Sequence, residues 1–184
     1  MNLLTQNVLD HFVKYEGKVP HFYLDPSGLV TIGIGCRVAT IHEALQLDFL
    51  YKDSKLPAER DSIRNDFIIV SQSISGQDTS YYDLLTNLFL SEEDIVKLFI
   101  VKYLEKLHYT KTYFADFDSF SDNIKLALLD MTFNLGVTGL IMKFPKFTKA
   151  LQRKDWMAAA AECDRHGISA ERNSFVRNTF LNEA

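Results

Sequence analysis

The sequence predicts an α+β fold in which a short hairpin is set among helices, and three observations predict it. Residues 28–35, GLVTIGIG, alternate apolar side chains with small or polar ones, as a strand does. Apolar residues recur at helical spacing through much of the remaining chain, most extensively after residue 91. Length is the third: 184 residues with 47% hydrophobic content suffice for one domain with a substantial core and are too few for two ordinary ones.

Leu3, Leu4, Val8, Leu9, Phe12 and Val13 share a face at helical spacing, so residues 3–15 read as an amphipathic helix. Gly17 is its natural stop, at the C′ position. Two or three short strands follow, about 20–25 and 29–35, with Thr31 and Gly33 on the face opposite Ile32 and Ile34. Residues 40–47 read as a short helix, 57–73 as a longer one, and Ser75-Gly76-Gln77-Asp78 as a polar turn. Ser91 caps the next helix, with Glu92, Glu93 and Asp94 in its first turn. Ile95, Leu98, Phe99, Leu104 and Leu107 carry that helix to about residue 110. A helix over 121–135 begins near Ser119 or Ser121 and stops at Gly136. Its apolar residues occupy more than one face, which predicts burial all round. Asp130 within it then needs a partner, and an arginine from the C-terminal region is the natural one. Helices at about 144–152, 155–166 and 169–181 complete the chain.

Composition excludes several functions. The net charge is −4, with no basic stripe interleaved with aromatics, so nucleic acid is not an expected partner. Residues 143–184 hold eight basic against five acidic side chains, and residues 1–142 hold twelve against nineteen. No stretch approaches the roughly 20 apolar residues that span a membrane. The opening MNLLTQNVLDHF lacks a basic region, a long apolar core and a cleavage site, so no signal peptide is expected. The five histidines show no ligand spacing, and neither a metal nor another cofactor is expected. Phosphate-binding, dinucleotide-binding and Gly-x-Ser-x-Gly motifs are absent. Cys36 and Cys163 read as buried free thiols, not as a disulfide scaffold.

Chemistry concentrates in residues 15–35. Two carboxyl groups flanking a bond are the minimum equipment for splitting a glycoside, one protonated as the acid and one ionised to activate water. Glu16 follows a helix, at its negative end, where an ionised carboxylate is disfavoured. Asp25 precedes Pro26-Ser27-Gly28, a turn composition that usually faces solvent. Singly, each has an ordinary role, as a surface acid or a turn former. Jointly, a Glu after a helix, then an Asp, then T-I-G-I-G, they are far more specific.

Tyr15-Glu16-Gly17, nine residues from Glu16 to Asp25, six from Asp25 to Thr31, and T-I-G-I-G strongly resemble the phage-type lysozymes. Residues 127–139, ALLDMTFNLGVTG, resemble the central buried helix and following turn of that family. The matching blocks run over roughly 16–37, 91–112 and 119–181. FNLGVTGL, KFPKF and GISAERN are most similar to peptidoglycan-degrading effector domains of type VI secretion systems.

The resemblance implies one lysozyme-like domain over 1–184: a small β-containing N-terminal lobe, a larger all-helical lobe, and a cleft between. The small lobe would span 14–90, the inter-lobe helix 91–112, and the helical lobe 113–184 together with helix 3–15. It implies a muramidase acting on the β-1,4 bond between N-acetylmuramic acid and N-acetylglucosamine. Glu16 would be the general acid, Asp25 with Thr31 would hold the water, and the anomeric carbon would invert. Phe133, Asn134 and Arg172 would contact substrate, with core, capping and ion-pairing roles as their competitors. An arginine near Glu16 would favour the ionised carboxylate, opposing the helix-end effect. The expected partners are peptidoglycan strands and an immunity protein, with the chain a monomer and no membrane contact. Export by a separate system to the periplasm of a target cell follows for an effector; a phage endolysin stays open, as does a non-catalytic peptidoglycan-binding domain. Two departures stand out. Cys36 replaces the histidine many relatives carry after T-I-G-I-G, and residues 48–90 form an insertion that compact relatives lack.

Overall fold

The computed structural model describes residues 6–184; Leu3 and Leu4 of the expected first helix lie outside the described residues. The fold is mixed α+β and mainly helical, with one three-stranded and one two-stranded antiparallel sheet among the described residues. The chain divides into two compact units, the first ending at Lys102 and the second running from Tyr103 to Ala184.

In the first unit, α1 (Gln6–Glu16) buries Phe12, whose ring lies 5.3 Å from that of Phe99. Gly17 ends the helix with a φ of +75°, its N–H donating to the Val13 carbonyl at 3.0 Å. Only a residue without a Cβ takes that turn cheaply. Helix α1 falls within this unit. Strands β1 (Val19–Leu24), β2 (Val30–Gly33) and β3 (Cys36–Arg37) form an antiparallel sheet in sequence order. Tyr23 lies opposite Thr31 and Thr31 opposite Arg37, so these three share one face. Leu24, Val30, Ile32 and Cys36 share the other and are all buried.

Helix α2 (Ile41–Ala44) is half the expected length, because its continuation tightens to three-residue bonds from Gln46 to Glu43 and Leu47 to Ala44. The segment after it folds as β4 (Leu50–Tyr51), α3 (Arg60–Ser71), α4 (Thr79–Asp83) and β5 (Leu88–Phe89). Of these, the sequence predicted only α3. Strands β4 and β5 pair with each other, Leu50 opposite Phe89. The segment shares the core of β1: Phe22 packs on Phe49 at 4.8 Å and on Phe67 at 5.7 Å. Each such buried aromatic contributes about 1.5–3 kcal/mol. Helix α5 (Glu92–Tyr113) starts as expected, with Ser91 Oγ accepting the Asp94 N–H at 3.1 Å, and continues into the second unit.

The second unit has a 3₁₀ turn at Phe117–Ser119 and then α6 (Asp122–Leu135), capped by Ser121 as the sequence predicts. Residues Ile124 to Thr132 are buried apart from Leu126, while Asp122, Asn123 and Asn134 are exposed, so burial all round holds for the middle of α6. Gly136, at φ +69°, ends α6 as expected and opens α7 (Val137–Lys143), a helix the sequence did not predict; the two meet at 93°. Helices α8 (Pro145–Gln152), α9 (Trp156–Ala161) and α10 (Ala170–Leu181) follow. Helix α9 is shorter than expected because the Asn173 amide holds the Arg165 backbone out of it, through bonds of 2.8 and 3.2 Å. Trp156 and Phe180 stack at 6.2 Å, with Phe120 and Phe147 edge-on to them at 5.4 Å.

Asp130 has the partners the sequence demanded, both from the C-terminal region. Arg172 reaches Oδ1 through Nε at 2.9 Å and Nη2 at 2.8 Å; Arg165 Nη2 reaches Oδ2 at 2.8 Å. All three side chains are buried.

Candidate functional site

Glu16 is the last residue of α1, half-buried, and its side chain lies against Gly35 in the loop between β2 and β3. A Cβ at position 35 would stand 2.7 Å from Glu16 Oε2 and 3.0 Å from Cδ, and Gly35 itself has a φ of +61°. Two independent constraints therefore require glycine there: the left-handed backbone and the approach of the carboxylate. The second glycine of T-I-G-I-G is thus a seat for Glu16 as well as a turn residue.

Asp25 closes the β1–β2 turn. Its Oδ1 accepts N–H bonds from Ser27 at 2.8 Å and Leu29 at 2.9 Å, and its carbonyl accepts from Gly28 at 2.8 Å. Such an Asx turn fixes the carboxylate while it shapes the loop. Pro26, Ser27 and Gly28 are exposed, as the turn composition suggests, but Asp25 itself is half-buried. Oδ2 makes no hydrogen bond among the described residues, so one oxygen builds the turn and one is left over.

Thr31 is only 3% exposed, and its Oγ1 donates to the Leu29 carbonyl at 3.0 Å. With its proton committed, the hydroxyl can only accept from anything further that reaches it. Its position opposite Tyr23 introduces a residue that sequence reasoning missed. Burial pushes the Tyr23 phenol above its ordinary value, and the negative charges of Glu16, Cys36 and Asp25 add to the shift. Tyr23 is therefore a neutral O–H at any ordinary pH, within electrostatic range of both carboxylates. A usable signal was present: along the strand expected over 20–25, Tyr23 and Asp25 have the same parity. Cys36 is also buried, which pushes its thiol up to about 12.

Phe133 is half-buried and Asn134 exposed near the end of α6, and Arg172 is bonded to Asp130. These three lie in the second unit, and Glu16, Asp25 and Thr31 in the first. Ion pairing, the competing role for Arg172, is thus one that it performs. Among the described residues no group of three or more His, Cys, Asp or Glu could hold a metal. One cavity, of about 510 Å³, lies along α3, and another, of about 340 Å³, lies between α8 and the residues at the end of α9. Neither is lined by Glu16, Asp25 or Thr31. No single described helix is long and apolar enough to cross a membrane.

No protein-family model matches this chain, and a search of curated proteins finds no match.

Proposed function

We propose that this protein is a muramidase that hydrolyses the β-1,4 bond between N-acetylmuramic acid and N-acetylglucosamine in bacterial peptidoglycan. The observation that carries the proposal is the seat of Glu16 on Gly35, just beyond the strand that bears Thr31, in the same hairpin whose first turn pins Asp25. Glu16 is the general acid. Its side chain rests on Gly35, which leaves no side chain at position 35 to compete for the carboxyl. Asp25 is the general base, with one oxygen pinned by two backbone N–H groups and the other turned to the water. Thr31, its proton donated to Leu29, accepts a hydrogen bond from that water. A pair acting this way inverts the anomeric carbon and needs its carboxyl groups roughly 6.5–9.5 Å apart.

The same proposal includes a lysozyme-like arrangement of a small lobe, a helical lobe and a cleft, with Phe133 and Asn134 on the sugar. As an exported effector or a phage endolysin, the protein acts on the periplasmic wall, and an effector would meet an immunity protein in the producing cell. One observation favours a second reading, a non-catalytic peptidoglycan-binding domain. Asp25 Oδ1 and Thr31 Oγ1 both have structural duties in the hairpin, which a binding module would retain without any chemistry.

Purified peptidoglycan incubated with wild type and with Glu16→Gln separates the two. Release of disaccharide-peptides with a reducing muramic end, lowered roughly 10²–10⁴-fold in the variant, is the expected result. Binding to sacculi with no release from either protein would replace the muramidase by the binding domain.

A further inference from the structure

The segment between α2 and α5 builds the cavity of about 510 Å³ noted above. Helix α3 lines it with Ser62, Asn65, Asp66 and Ile69, and the chain at β4 and just before β5 lines it with Tyr51 and Asn87. Asp66 is the unusual member. It is 3% exposed, and its Oδ2 accepts the N–H groups of Asn87 at 2.9 Å and Leu88 at 3.1 Å. These two bonds tie α3 to the start of β5 and account for one oxygen only. Oδ1 has no hydrogen-bond partner among the described residues, yet Asp66 forms part of the cavity wall.

A carboxylate oxygen that opens on a cavity with no partner there offers an acceptor to whatever enters. The cation at hand is already committed. Lys52 lines the same cavity, but its Nζ donates to the Asp83 carbonyl at 2.6 Å, Asp83 Oδ1 at 2.7 Å and the Thr86 carbonyl at 2.8 Å. An ammonium has three protons, and these acceptors use them. Burial raises the Asp66 pKa; the two N–H bonds and the charge of Lys52 counter it only in part. Asp53 adds a second carboxylate to the lining, so Asp53 and Asp66 face Lys52 alone, whose charge Asp83 already balances. A guest that brings its own positive charge suits this cavity better than a neutral sugar.

We propose that this cavity binds a primary ammonium group at the end of a short aliphatic chain, of the lysine or diamino-acid type, with Asp66 Oδ1 as its anchor. The side-chain oxygens of Asn65 and Asn87 supply further acceptors for the ammonium protons. The Tyr51 ring and the Ile69 side chain supply apolar surface for the methylenes; Tyr51 is held by its hydroxyl on Ser62 Oγ at 2.8 Å.

Titration of the whole chain with Nα-acetyl-lysine amide and with Nα-acetyl-norleucine amide, followed by NMR, tests the assignment. Saturable binding of the lysine compound alone is expected, with shifts at α3 and around Asn87. Asp66→Asn retains an amide oxygen for the N–H groups of Asn87 and Leu88 but turns an NH₂ toward the cavity; it should weaken binding roughly tenfold or more. Asn65→Leu, at an exposed position, should also weaken binding, and it decides the matter if Asp66→Asn fails to fold. Absence of saturable binding, equal binding of the norleucine compound, or wild-type affinity in the folded variants would overturn the assignment. No cell-wall cleavage enters this measurement, so its outcome is separate from that of the muramidase proposal.

Discussion

Asp130 in the second unit and Asp25 in the first are both held by short hydrogen bonds, but the bonds are distributed differently. Asp130 spends both oxygens on the guanidinium groups of Arg165 and Arg172 and is wholly buried. Asp25 spends one oxygen on two backbone N–H groups, is half-buried, and keeps the other oxygen uncommitted among the described residues. A carboxylate saturated at both ends is a structural rivet: its charge is balanced and no ligand can reach it. A carboxylate saturated at one end is held in position and still has an acceptor to offer. The difference teaches that the number of bonds matters less than which oxygens they leave.

The largest effects should divide along that line. Asp130→Ala strands two buried guanidinium groups and should cost about 3–5 kcal/mol of stability by denaturant unfolding. Asp25→Asn still accepts both backbone N–H bonds, so it should change stability by less than about 1 kcal/mol while lowering peptidoglycan cleavage roughly 10²-fold or more. A large stability loss at Asp25, with cleavage per folded molecule retained, would make it a rivet too. Gly35→Ala comes next. A methyl group there meets the Glu16 carboxylate in a backbone conformation that disfavours it, so a stability loss of about 1–2 kcal/mol is expected. Cleavage should fall at least in step with that of Asp25→Asn only if Glu16 must rest where it does. Thr31→Val removes one buried hydroxyl donor and should cost about 0.5–1.5 kcal/mol; its effect on cleavage measures how much the hydroxyl does beyond bonding Leu29.

The smallest effect concerns pH. His21 is buried against the Thr79 carbonyl and Asp83, and burial lowers its pKa below the ordinary 6.5, outweighing the opposing pull of those two neighbours. The folded state thus prefers the neutral ring, while the unfolded chain takes up a proton at the ordinary value. Stability from this group is complete above pH 6.5 and declines as the pH falls below it toward the lowered value. His21→Gln should flatten that part of the stability profile; an unchanged slope would assign the acid sensitivity elsewhere.

Much of this was readable in the sequence wherever the determinants are local. The caps at Ser91 and Ser121, the stop at Gly17 and the hairpin around Asp25 each depend on residues within a few positions of one another. Strands β4 and β5 were not readable, because two-residue strands have no period and pair across a long intervening segment. Helix α7 escaped because Gly139 in its middle looks like a turn residue, and α4 because Thr79–Asp83 is too short to display a face. In the candidate site the acids and the threonine carried a recognisable spacing, whereas the roles of Tyr23 and Gly35 depend on strand register and on a side chain from α1. Asp66 left a trace that was open to reading: it falls among Ile63, Phe67 and Val70 on the buried face of α3, a charge where the pattern calls for an apolar residue.

Cys36 and Cys163 lead to a different kind of consequence. Both are buried free thiols, pushed up to about 12 and about 11 chiefly by their burial. At neutral pH almost no thiolate exists at either position, and thiolate is the form that attacks disulfides and oxidants. Thiol–disulfide exchange at either position is therefore slow while the chain stays folded. Both thiols would thus persist for long on either side of a membrane that separates a reducing compartment from an oxidising one.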